Sequence, residues 1–302
     1  MKVCVNLPRV AIADHAPPPR RGRRWLAAGL LAGLAGAAPA AAPHMAGVPT
    51  LGAHTLLWQP EGNGVNPAVT APLTTDAQGS SFLVFEAGYR SNTRPPVDSK
   101  ANTWTRVGQP VVFDGYAGRF DVKAWVALDG RGGADHTVTL DKTGPADGEI
   151  SLPFIEIRNA GVLQDVAQNY PTFAPSLLQT LGHALWPFGE APAAGGREHG
   201  TRHLGDPFHV QQTSASVTTT GPATLIALWF GDAYVLDMTA VPGNGFTVID
   251  GLLHLPPESA VQCAVAYRNV SEAGTYHVTW TQSPNQGAVL WLLAFQSAAP
   301  AH

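Results

Sequence analysis

One pattern occurs twice in this chain, and it narrows the fold at once. Gly79-Ser80-Ser81-Phe82-Leu83-Val84-Phe85 is answered 142 residues later by Gly221-Pro222-Ala223-Thr224-Leu225-Ile226-Ala227. Asn102-Thr103-Trp104-Thr105 is answered at the same spacing by Asn244-Gly245-Phe246-Thr247. His136-Thr137-Val138-Thr139-Leu140 matches Tyr276-His277-Val278-Thr279-Trp280 at a spacing of 140. Each set continues into a turn, Lys142 to Gly148 or Gln282 to Gly287, and then a closing apolar run, Ile150 to Ile157 or Val289 to Phe295. Four elements in one order at nearly constant spacing mark a duplication.

The repeated elements read as strands. Phe82–Phe85, Lys123–Leu128, Thr137–Leu140, Leu225–Phe230 and Thr275–Trp280 are rich in Val, Thr and aromatic residues, with Gly, Asn, Asp and Pro between them. Asp129-Gly130-Arg131-Gly132-Gly133 reads as a hairpin loop. Helical periodicity is nearly absent, and strands without crossover helices exclude a parallel α/β sheet. The expected fold is all-β: two tandem antiparallel β-sandwich domains, jelly-roll or immunoglobulin-like. The first spans 41–160 and the second 210–302. A partly helical insertion, 161–209, connects them. Within it Ser176 to Leu181 is the candidate helix, with Ser176 as N-cap and Gly182 as terminator.

The order of an apolar strand, Asp98-x-x-x-Asn102-Thr103-Trp104-Thr105, a strand, a Gly-rich turn, a Val-Thr strand and an apolar closing strand resembles the β-sandwich modules of exported bacterial proteins and some phage tail proteins. The resemblance covers most of Thr70 to Ala160 and, more weakly, Val210 to Ser297. It implies a sandwich fold. It assigns no catalytic residue, because many members of that loose group carry no known activity. The second half departs from the pattern, with Ala240 standing where Asp98 does in the first.

The N-terminus differs in composition. Arg20, Arg21, Arg23 and Arg24 precede an apolar run from Trp25 to Ala38, closed by small residues. That run is shorter than the roughly 20 residues of a membrane span. Residues 1–40 therefore read as a signal peptide, Sec-type or twin-arginine, and the protein is expected outside the cytoplasm. Without that segment the chain holds 12 Lys and Arg against 21 Asp and Glu. So acidic a chain is a poor partner for nucleic acid or an anionic membrane. Cys263, in an alternating apolar run, is then the one cysteine and reads as core.

Candidate chemistry falls into four sets. Glu86 and Glu156 are charges inside apolar strands; two carboxylates at suitable separation hydrolyse glycosidic bonds, and the alternative is pairing with Arg90 or Arg158. His199, His203, Asp206 and His209, with Glu198, mix imidazole and carboxylate as zinc sites do, but glycines surround them and a polar loop is the simpler reading. Asp98 and Asn102 suit either a Ca²⁺ site or an Asx turn, and the turn needs fewer ligands. Trp104 and Trp186 are candidates to stack on a sugar ring, with core packing the competing role for Trp104. No bound cofactor is expected; Ca²⁺ and Zn²⁺ are the alternatives.

These readings lead to an exported binding or structural protein that recognises a surface glycan or a protein partner. An extracellular polysaccharide-acting enzyme is the competing class. A self-assembling appendage or tail component, and with it a homo-oligomer, is the third.

Overall fold

The computed structural model describes residues 47–171, apart from 93 and 114–117, and residues 210–298, apart from 232–236, 257, 258 and 260. The strands of the first half are β1 (Thr50–Gln59), β2 (Ala68–Val69), β3 (Ser80–Tyr89), β4 (Val97–Asp98), β5 (Thr105–Phe113), β6 (Phe120–Gly130), β7 (Val138–Leu140) and β8 (Ile150–Arg158). Those of the second are β9 (Val162–Asn169), β10 (Val210–Thr213), β11 (Val217–Thr219), β12 (Ala223–Gly231), β13 (Thr239–Pro242), β14 (Thr247–Leu252), β15 (Cys263–Val270), β16 (Gly274–Tyr276), β17 (Thr279–Ser283) and β18 (Ala288–Gln296). The fold is all-β, and every strand pairing is antiparallel.

Two five-stranded sheets form the centre, ordered β1-β8-β3-β6-β5 and β9-β18-β12-β15-β14. Period-two alternation explains their placement. Leu83, Phe85 and Ala87 of β3 turn to one face, where they share a core with Ile226, Leu228 and Phe230 of β12 and with Trp291 and Leu293 of β18. Phe82 and Val84 turn to the other face and meet Trp125, Phe154, Val138 and Leu140. Both faces of each large sheet are covered, so its strands are apolar on both sides, as buried strands must be.

Small sheets cover the outer faces. Strands β2-β7-β4 lie over the first large sheet, and Ala68, Val138 and Leu140 fill the space between. Strands β10-β17-β13 and the pair β11-β16 lie over the second, with Val217, Ala240, Val278 and Trp280 pointing inward. Trp125, Trp229 and Trp291 are all buried, as their apolar strands predict.

All four edges of the two large sheets have irregular register. Breaks fall between Leu51 and His54 in β1, between Val107 and Val111 in β5, between Val248 and Asp250 in β14, and where β9 pairs Ala294 and Phe295. Such bulges end a sheet's capacity to add strands. They also bring edges of the facing sheets together. His54 Nδ1 meets Asp250 Oδ2 at 2.9 Å. On the other side Gln168 receives the Gln109 N–H at 2.8 Å and donates to the Gln109 carbonyl at 2.6 Å. Burial raises the Asp250 pKa, against the pull of His54.

Two expectations change. Val162 to Asn169, placed by sequence in the connecting insertion, is β9, an edge strand of the second large sheet. The repeat spacing of 142 pairs Glu86 with Leu228. Yet Leu228 faces the central core, whereas Glu86 lies on the face of Phe82 and Val84. The offset that matches the faces is therefore odd, and the spacing of 142 is one residue out of register, a slip that reverses every side chain.

Candidate functional site

Glu86 lies opposite Lys123 in the β3–β6 ladder. Cross-strand partners project to the same face, so the pairing alone puts carboxylate and ammonium together. Lys123 Nζ lies 3.5 Å from Glu86 Oε1 and 3.2 Å from Asp121 Oδ1. It also donates to the main-chain carbonyl of Asn92. The Trp125 indole N–H donates to Glu86 Oε2 at 3.2 Å. Glu86 is 2% exposed, Lys123 4% and Asn92 1%. Burial pushes the Glu86 pKa up to about 7, against the attraction of Lys123. It raises Asp121 as well. The ion-pair alternative for Glu86 thus holds, but with Lys123 and not Arg90.

Glu156 occupies β8 opposite Phe82, and it is fully buried. Oε1 receives the Asp76 N–H and the Ser80 hydroxyl, both at 2.7 Å. Oε2 receives the Ala53 N–H at 2.9 Å, and the Arg158 guanidinium lies 3.6 Å away. Its acceptor sites are occupied by the chain itself. Phe82 and Glu86 are four positions apart on β3, so the two carboxylates stand about 13 Å apart along the strand. Paired glycosidase carboxylates stand roughly 5–9.5 Å apart across an open cleft. These two glutamates therefore cannot act as one catalytic pair.

Asp98 makes the Asx turn. Oδ1 accepts the Lys100 N–H at 2.8 Å and the Asn102 N–H at 3.1 Å, and Oδ2 accepts the Trp104 indole N–H at 2.9 Å. His136 Nε2 lies 3.7 Å from Oδ2. Burial pushes the Asp98 pKa up, but these donors outweigh it and hold the pKa at about 2. The Asn102 side chain clasps Arg131, giving to its carbonyl and taking from its N–H. Trp104 is 9% exposed and packs in the core beneath β2-β7-β4. It has no free face for a sugar ring, which corrects its candidacy as a stacking residue.

Other candidates lie outside the described residues: Trp186, the Ser176–Leu181 segment, and His199, His203, Asp206 and His209. Among the described residues no group of three or more His, Cys, Asp or Glu is placed to hold a metal ion. No helix among them is long and apolar enough to cross a membrane. Cys263 is buried, and burial raises its pKa to about 12, so it stays a thiol.

Sequence reasoning missed Lys123, Asn92, Lys142 and His136. Lys142 is buried, and its ammonium reaches Gln59 Oε1 at 2.6 Å and the Gly148 and Ala146 carbonyls at 2.7 and 3.2 Å. Burial lowers its pKa. His136 is fully buried between Phe82 and Phe154, with Nδ1 3.0 Å from the Thr75 hydroxyl. For Lys123 a signal was available: a lysine flanked by Val122, Ala124 and Trp125 needs a carboxylate as much as Glu86 needs a cation.

The outer sheets differ from these sealed networks. On the second, Gln211, Thr281 and Val241 form one cross-strand row. Thr213 and Thr279 form another, their hydroxyls 3.0 Å apart. Thr239 and Ser283 form a third. Strands β10, β13 and β17 contain no charged residue. Val241 is 59% exposed. On the first outer sheet Val69 and Val97 flank Thr139 and are exposed. No family model matches the chain, and no curated protein matches it.

Proposed function

We propose that this chain is an exported, non-catalytic binding or structural protein. It consists of two copies of one β-sandwich unit, joined through their large sheets. Its outer sheets recognise an uncharged surface, either a neutral glycan or a protein partner. The observation that carries the reading is the contrast between inside and outside. Among the described residues Glu86, Lys123 and Glu156, the charges set inside apolar strands, are enclosed and partnered. The strands β10-β17-β13 carry no charge, and their cross-strand rows present hydroxyl, amide and methyl groups. Such a face suits a partner that offers hydroxyls and apolar ring faces and no formal charge.

The identical order of the two large sheets supports the two-copy reading. The contact of β1 with β14 through His54 and Asp250 has its counterpart in that of β9 with β5 through Gln168 and Gln109. A self-complementary arrangement of this kind is what a fused pseudo-dimer produces.

The test is an incubation with a panel of neutral and acidic polysaccharides, scored in the same tubes for loss of protein from solution and for new reducing ends. Depletion by a neutral polymer without product is expected, and Thr281→Lys, which places a charge on the face, abolishes it. New reducing ends would establish the enzymatic class instead. Concentration-dependent assembly with no depletion would establish the self-assembling class.

A further inference from the structure

We propose that a cleft on the first half, between the loop from Asp98 to Thr103 and the end of β6, binds a single neutral sugar ring through Asp129 and Arg131. The cleft has a volume of about 210 Å³ and opens to solvent. Ala101, Asn102 and Thr103 line one wall, and Leu128, Asp129 and Arg131 line the other. Backbone geometry sets the second wall. Ser80 pairs with Gly130 and Phe82 with Ala127, so β6 carries one residue more than β3 between these pairs. That bulge leaves Leu128 and Asp129 exposed. Asp129 is held left-handed at φ +46°, and Ala101 on the opposite wall at φ +56°. Side-chain-bearing residues rarely adopt that region, and here one stands on each wall. Gly130 allows the walls to meet at the base, because a Cβ there would lie 2.9 Å from the Phe82 ring and 3.1 Å from Asn102 Oδ1.

A polar frame fixes the shape. The Asn102 side chain takes the Arg131 N–H at 2.8 Å and gives to the Arg131 carbonyl at 2.9 Å. Behind the walls the Gly133 N–H donates to the Thr75 hydroxyl at 3.0 Å, and that hydroxyl lies 3.0 Å from His136 Nδ1. His136 Nε2 lies 3.7 Å from Asp98 Oδ2, and Asp98 Oδ1 holds the Asn102 N–H. Where the sequence pattern has Asp98 and His136, the second half has Ala240 and Tyr276, both packed in the core beneath its outer sheets. The β-unit therefore forms without this frame, and what the frame adds is a cleft of fixed shape. Neither Asp129 nor Arg131 forms an ion pair among the described residues. Their charges cancel, so a charged ligand gains from one and loses to the other. Adjacent hydroxyls on a neutral ring meet both: one O–H donates to the carboxylate, and the neighbouring oxygen accepts from the guanidinium. Leu128, 42% exposed, and Ala101 offer methyl groups to the C–H edges of such a ring. The volume lies below the roughly 300–1,000 Å³ of drug-sized sites, which limits the ligand to one ring.

Amide NMR spectra of the folded chain, titrated with methyl glucoside, methyl galactoside and methyl mannoside, decide it. The amides of 101–103 and 127–131 are expected to shift with at least one of the three, with a Kd on the order of millimolar. Asp129→Asn and Arg131→Gln are each expected to weaken binding by roughly tenfold, the loss of one charge-assisted hydrogen bond, and to keep the wild-type Tm. Asparagine suits the left-handed backbone at 129, so that variant tests the charge and not the turn. Thr281→Lys leaves these shifts unchanged even where it abolishes depletion by a polymer, which separates this cleft from the face of β10-β17-β13. No shift of these amides with any of the three glycosides overturns the proposal. So do shifts that persist at full strength in both variants. Tighter binding of glucuronate than of the glucoside overturns it as well, because the cleft would then be an anion site.

Discussion

Glu86 keeps a proton up to about pH 7 because burial costs its carboxylate more than Lys123 and Trp125 offset. The ordinary value for a glutamate is 4.5, so between these two values the folded state holds a proton that the unfolded state has released. Unfolding free energy therefore falls as pH rises through that window and levels off above it. Urea titrations at about pH 5 and about pH 8 are expected to show the higher stability at the acid end, and Glu86→Gln is expected to flatten the difference. An equal slope in wild type and variant would remove Glu86 as the cause. Asp98 acts in the opposite sense. Its folded pKa of about 2 lies below the ordinary aspartate value of 3.8, so its contribution is present above the latter and is lost as pH falls through the former. Asp98→Ala leaves three donors without an acceptor, those of Lys100, Asn102 and Trp104, at a cost of roughly 2–4 kcal/mol. A thermal melt followed by tryptophan fluorescence measures this as a lowered Tm. At this scale the sequence shows which residues need partners. Glu86, Glu156 and Asp98 stand out as charges among apolar or turn residues. It does not show who the partners are, because Glu86 meets Lys123 and Glu156 meets Ser80 only through strand register and loop return.

Strands were legible where side chains alternate and turn residues intervene, and the second half was found by the same signs as the first. Register was not, since spacing counts residues and a bulge adds one without any change of composition. That is why the repeat spacing places Glu86 on Leu228 although the two face opposite ways. It is also why Val162–Asn169, with Asp165, Gln164 and Gln168 breaking its apolar pattern, read as part of a connection. Gly108 shows how an edge bulge is held. Its φ is +62°, and a Cβ there would lie 2.4 Å from Gln168 Oε1 and 2.9 Å from the Trp291 ring. Gly108→Ala combines left-handed strain with a clash against a buried ring, and is expected to destabilise by about 1–3 kcal/mol. Urea denaturation checks the value; an unchanged midpoint would mean that this bulge does not hold the β5–β9 edge.

The whole molecule is organised around a core that neither half owns. Phe85 of β3 meets Trp291 of β18 edge to face, with ring centroids 6.1 Å apart. The Ser151 hydroxyl of β8 donates to the Val261 carbonyl, and the Ser259 hydroxyl donates to Glu149. The described residues accordingly fall into one compact unit. Composition and repeat spacing pointed to two units in a row, because a repeat announces its number and not the face by which its copies meet. The inner face is apolar and the outer sheets are hydroxyl-lined, and on this account recognition belongs to the outer faces while the inner faces hold the halves together. Hydrogen exchange across a urea series tests the shared core most directly. Amides of β8 and β18, the central strands that flank β3 and β12, are expected to lose protection together, at one urea concentration and with one slope. Loss of protection in one half while the other stays closed would contradict the account, because the core beneath each outer sheet would then hold its half without the shared one.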